Sequence, residues 1–131
     1  MTAEVPKPEL DRIQGVMEPT GYRILVRIPN LKAQMKQWAD VEMPEETRLR
    51  EEFAQLVGQV IALGPDAYQD QNKFPSGPWC NVGDYVLMRA YAGTRFLMRD
   101  ENNKSATYTL INDDSVQGVV RGDHEAIERV S

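Results

Sequence analysis

Val57-Gly58-Gln59-Val60-Ile61-Ala62-Leu63, closed by Gly64-Pro65, is the stretch whose reading decides the fold. From Val57 onward the apolar period is two, and the Gly-Pro pair is a turn signal, so the stretch reads as a strand. The same alternation of strand and turn runs to the C-terminal side. Gly83-Asp84 turns the chain into Tyr85-Val86-Leu87-Met88-Arg89. Tyr91-Ala92-Gly93-Thr94 leads to Arg95-Phe96-Leu97-Met98, and Asp100-Glu101-Asn102-Asn103 leads to Ala106–Ile111. Asn112-Asp113-Asp114 turns once more into Val116–Val120. On the N-terminal side, Pro19-Thr20-Gly21 is a turn before Tyr22–Ile28. There Ile24, Val26 and Ile28 face one way while Arg23, Leu25 and Arg27 face the other, and Pro29 ends the strand. Six short strands with regular turn signals predict an all-β domain, a small barrel or sandwich. Tyr22, Ile24, Val26, Val60, Val86, Met88, Phe96, Leu110 and Val119 are the candidates for its buried face, in a register open by one residue.

The strands leave two long connections and two termini. In residues 29–56, Leu31, Met35 and Trp38 fall on one helical stripe, and Leu49, Phe53 and Leu56 on a second. Pro44 suits a first helical position, and Glu45 and Glu46 suit the positive end of a helix dipole. Helices are therefore expected over Leu31–Ala39 and Pro44–Leu56, separated by Asp40-Val41-Glu42-Met43. Residues 65–81 form a loop whose length points to a function or to covering something. Its aromatics Tyr68, Phe74 and Trp79 suggest that it folds on itself. Residues 1–18, with Pro6 and Pro8, read as an arm that is disordered, or extended and bound to a neighbour. Residues 122–131 read as a polar tail after a domain spanning 19–121.

Composition narrows the function. The chain has 131 residues, enough for one domain, with 41% apolar and 27% charged residues. The net charge of −5, with no Lys/Arg block, is a poor basis for wrapping nucleic acid. Arg23 and Arg27 on one strand face read better as edge guards or ion-pair partners than as a nucleic-acid stripe. No apolar stretch nears the roughly 18 residues that span a bilayer, and the N-terminus lacks the apolar run of a signal peptide. A soluble, cytoplasmic or virion protein is expected. One Cys, Cys80, and one His, His124, give no disulfide and no zinc set. No phosphate-cradling glycine loop is present, and Asp66, Asp70 and Asn72 lack the alternating ligands of a calcium loop. The expectation is a non-enzyme with no catalytic residue, metal or cofactor.

Four segments, in this order, resemble the GroES-type co-chaperonin family. They are Gly21–Arg27, Val57–Pro65, Val82–Leu87 with Tyr91-Ala92-Gly93-Thr94, and Tyr108–Val116. Each alone is weak, but together they span residues 21–120, and the loop Phe74–Cys80 resembles a bacteriophage-encoded branch. The resemblance implies an irregular β-barrel with a long insertion at 29–56, here partly helical, and a roof hairpin at 65–81. It implies rings of seven copies that cap a nucleotide-bound chaperonin. The first strand, with Arg23, Leu25 and Arg27, would pair with the last strand of a neighbour, with Val116, Gly118 and Val120. The family grips its chaperonin with an apolar tripeptide in the insertion, and Val41-Glu42-Met43 stands at the matching place. Glu42 replaces a central apolar residue and no glycine pair precedes Val41. Trp38, Leu49 and Phe53 join the anchors if the insertion docks as a helix.

Two readings follow. The first is a cytoplasmic co-chaperonin that assists the folding of a client such as a phage capsid subunit. The second is a virion structural protein, a capsid decoration or tail-associated subunit, that reuses the barrel and contacts the major capsid or another virion protein through its arm and its insertion. Trp79 beside Cys80 reads either as a contact for a partner or as the loop's own hydrophobic plug.

Overall fold

The computed structural model describes residues 7–29, 55–89, 92–99 and 102–122. Six strands alternate with turns: β1 (Arg23–Ile28), β2 (Gln55–Leu63), β3 (Tyr85–Arg89), β4 (Thr94–Arg99), β5 (Ser105–Asn112) and β6 (Gly118–Val120). A helix, α1 (Lys7–Val16), precedes them, and a 3-10 turn at Asp113–Ser115 joins β5 to β6. The strands form one antiparallel sheet in the order β4-β5-β1-β2-β3-β6. Among the described residues the ladder stays open between β4 and β6. The all-β class and all six expected strands are present.

Alternation along the strands sorts side chains onto two faces, and both faces are covered. One carries Ile24, Val26 and Ile28 of β1 with Leu56 and Val60 of β2, Val86 and Met88 of β3, and Ile111 of β5. The long loop after β2 closes it with Ala67, Tyr68, Phe74 and Cys80. The other face carries Leu25, Ile61, Ala62, Met98 and Tyr108, and Ile13 of α1 lies over them, fully buried. This second layer corrects the expected core. Phe96 and Leu110 belong to the α1 face, where Phe96 stacks on its register partner Tyr108 at 5.9 Å between centroids. Tyr22 is 49% exposed, outside the core, with the Arg23 guanidinium 5.7 Å above its ring.

Residues 7–16 are helical, where an extended or disordered arm was expected. Glu9 sits in the first turn, at the positive end of the helix dipole. Leu10, Ile13 and Met17 recur at i, i+3 and i+7, an apolar stripe that pays for ordering a short helix only once it is docked. A β-bulge fixes where it docks. Leu25 pairs with Ala62 but Val26 pairs with Val60, so Ile61 is the extra residue. The Ile61 carbonyl accepts a 2.8 Å hydrogen bond from Gln14 Nε2.

β2 begins at Gln55, so Leu56 is a buried strand residue and not the last residue of a helix. The rest of the two expected helices, Leu31–Ala39 and Pro44 onward, lies outside the described residues.

Candidate functional site

The expected site residues fall in three places, and the structure treats each differently. Val41, Glu42, Met43, Trp38, Leu49 and Phe53 all lie outside the described residues. The flanks of their insertion are well placed: β1 ends at Ile28 and β2 starts at Gln55, and the two strands are hydrogen-bonded neighbours. The insertion therefore leaves and rejoins the sheet at one end of a single antiparallel pair.

The second place is the loop at 65–81. It contains turns and no strand, so the expected roof hairpin is absent, and the loop folds down onto the sheet. Three rings form its centre. Phe74 meets Tyr68 edge-to-face at 4.9 Å and Trp79 edge-to-face at 4.9 Å, while Tyr68 and Trp79 lie 5.9 Å apart. Tyr68 and Phe74 are buried, and Trp79 is 40% exposed, the outer ring of the plug. Trp79 thus packs on the loop's own rings and keeps one side exposed.

Two backbone features hold this loop. Gly64 donates its N–H to the Arg23 carbonyl at 2.8 Å, and a Cβ there would lie 2.7 Å from that same oxygen, so only glycine fits the Gly-Pro turn. Tyr68 takes φ +59, rare for a bulky residue, and its N–H donates to the carboxylate Oδ2 of Asp113 at 3.0 Å. Asp113 is itself buried, and its own N–H bonds the Tyr22 carbonyl. It thus fastens the loop, the start of β1 and the β5–β6 turn together. In the sequence Asp113 reads only as a turn former, in Asn112-Asp113-Asp114. A buried carboxylate serving a loop 45 residues away leaves no local pattern.

The chemistry of the plug is structural. Cys80 is 1% exposed, and its sulfur lies 3.4 Å from the Tyr68 hydroxyl. Burial pushes the thiol's pKa up, and burial followed by the Cys80 contact pushes the Tyr68 phenol up further. A reactive cysteine needs the opposite, an accessible thiol with a lowered pKa. Beside the loop, Tyr22, Asp66, Asp70, Lys73, Asp113 and Asp114 line a cavity of about 660 Å³. Lys73 is hydrogen-bonded to Asp114 at 2.6 Å, which holds its ammonium in the charged form. Among the described residues no group of three His, Cys, Asp or Glu side chains is arranged to hold a metal.

The third place is the expected strand-to-strand subunit contact. β1 is a central strand. Arg23 to Ile28 pair with β5, and Ile24 to Arg27 also pair with β2. The pairing of β1 with a neighbour's last strand needs a free edge that β1 does not have. Leu25 is fully buried under α1, and Arg27 reaches Glu9 of α1 at 3.5 Å. At the other partner, Val116 is a buried core residue, while Gly118 and Val120 lie on β6. β6 ends the sheet, and among the described residues its outer edge has no strand beside it.

A mostly β fold of six short antiparallel strands, with an insertion between its first two and a loop plugging one face, is a small β fold of the GroES-like type. The model of the family described as the chaperonin 10 kDa subunit matches residues 16–120, and the chain belongs to that family. Family membership brings co-chaperonin function, partnership with a chaperonin of the GroEL type and oligomerisation. Proteins of this family are generally not enzymes. A comparison with curated proteins gives no match. Among the described residues no helix is long and apolar enough to cross a membrane.

Proposed function

We propose that this protein caps the open end of a nucleotide-bound chaperonin ring as a ring of seven copies. The observation that carries the reading is the family match over residues 16–120, which runs through both flanks of the 29–56 insertion. In this reading the insertion holds the grip, with Val41 and Met43 as anchors and Trp38, Leu49 and Phe53 beside them. Glu42 stands between the two anchors. Each loop loses entropy on docking, so a single contact is weak. Several loops on one ring add through effective concentration, which gives firm but reversible capture.

Neighbouring copies meet at the outer edge of β6, where Gly118 and Val120 lie, with Val116 anchoring the chain just before it. Contact there covers a sheet edge that would otherwise invite uncontrolled pairing. The client is a phage protein such as the capsid subunit, folded in the host cytoplasm, as the bacteriophage-like loop Phe74–Cys80 suggests.

The test is capture of the purified protein on an immobilised bacterial chaperonin, with and without ATP. ATP-dependent capture by the wild type, lost in the Val41→Ser/Met43→Ser double variant, is the expected result. Equal capture by both proteins would remove Val41 and Met43 from the grip.

A further inference from the structure

We propose that α1 is a lid that opens as a unit while the sheet stays folded, uncovering the apolar face of β1, β2, β4 and β5. Four observations converge on this. First, α1 has ten residues, below the length at which a helix persists alone in water, so its helicity depends on its docking. Gly15 in its last turn, with open space around its Cα, weakens it further. Second, its hold is narrow. Among the described side chains of the helix, Ile13 alone is fully buried, and Val16 is mostly exposed.

The polar ties are few among the described residues. Gln14 bonds the bulged Ile61 carbonyl at 2.8 Å. The other two are the 3.5 Å contact of Arg27 with Glu9 and the exposed 3.3 Å bond from Arg12 to the Arg99 carbonyl. Ion pairs at such exposure hold little.

Third, the sheet does not need α1 for its hydrogen bonds. β1 is paired along both edges by β2 and β5, and a separate core with its own loop plug fills the opposite face. Fourth, the family match begins at residue 16, so all of α1 before Val16 lies outside the part of the chain that the family model describes. A short helix on a narrow apolar grip, lying over a sheet whose strands are paired without it, is a unit of low local stability. When it lifts, Leu25, Ile61 and Tyr108 lose their cover and the face becomes apolar surface. The proposal stands on the fold and is independent of chaperonin binding.

The experiment is hydrogen exchange of the full chain under native conditions, read by mass spectrometry peptide by peptide. The α1 amides are expected to exchange at least about tenfold faster than those of β1 and β5, through openings that leave the strands protected. Gln14→Ala should speed α1 exchange and tryptic cleavage at Arg12 without changing exchange in β1 or β5. Ile13→Asp should increase binding of a hydrophobic dye while the strands keep their protection. If α1 in the wild type exchanges only together with β1 and β5, the lid does not exist and α1 is an integral layer of the core. Loss of strand protection in Gln14→Ala would overturn the proposal as well.

Discussion

Phe74→Ala separates a loop that plugs the sheet from a loop that projects as a roof. Phe74 is 2% exposed, belongs to the main core and meets two rings edge-to-face at 4.9 Å. Truncating a buried Phe costs about 3–5 kcal/mol. The two edge-to-face contacts account for about 0.5–1.5 kcal/mol each within that figure. A domain of this size loses roughly 3–5 °C of Tm per kcal/mol, so Tm should fall by about 10–25 °C. Trp79→Ala removes the half-exposed ring of the same cluster and should cost about 1–3 kcal/mol. The two variants should couple, since their rings touch, with an interaction energy of about 0.5–1.5 kcal/mol in a double-mutant cycle. Urea unfolding followed by circular dichroism gives all three values. A Phe74→Ala cost below about 0.5 kcal/mol, the level of an ordinary surface change, would refute the plug.

Three further outcomes follow from the site. Gly64→Ala and Gly93→Ala should each cost at least about 2 kcal/mol in the same unfolding assay, because a Cβ at either position runs into backbone and Gly93 also sits at φ +71. Asp113→Ala should cost about 2 kcal/mol by stranding the Tyr68 N–H, and it should raise hydrogen exchange in residues 66–80 before it does so in β1. Stability should decline at alkaline pH. Burial raises the thiol of Cys80 above its ordinary 9.0 and the phenol of Tyr68 above its ordinary 10.0. The folded state then holds protons that the unfolded chain has lost, so their contribution is intact below about pH 9 and falls as pH rises. Cys80→Ala should flatten the first part of that fall in urea midpoints measured from pH 8 to 10.

The strands were legible because turn chemistry punctuates them: Gly64-Pro65, Gly83-Asp84 and Ala92-Gly93 each hold a glycine at a position where the backbone favours one. The class and the strand count follow from that punctuation. The face assignment was less legible. A sheet covered on both sides erases the polar half of the alternation, so Phe96 and Leu110 looked like core residues and sit instead beneath α1. The helix itself is written only as Leu10, Ile13 and Met17, between Pro8 and Pro19, and its hydrogen-bond anchor is a bulge carbonyl in a strand 47 residues away. The aromatic plug was readable from Tyr68, Phe74 and Trp79, whereas its carboxylate fastener was not. The subunit contact was misread at β1 because order along the chain does not give order across a sheet. The first strand lies at the centre and β6 at the end.

The most direct test of the central claim is native mass spectrometry of the wild-type protein mixed with a bacterial chaperonin and ATP. The account predicts a complex that gains the mass of seven copies of this chain per capped ring, and that dissociates when ATP is removed. A folded protein that stays apart from the chaperonin at every nucleotide condition would contradict it.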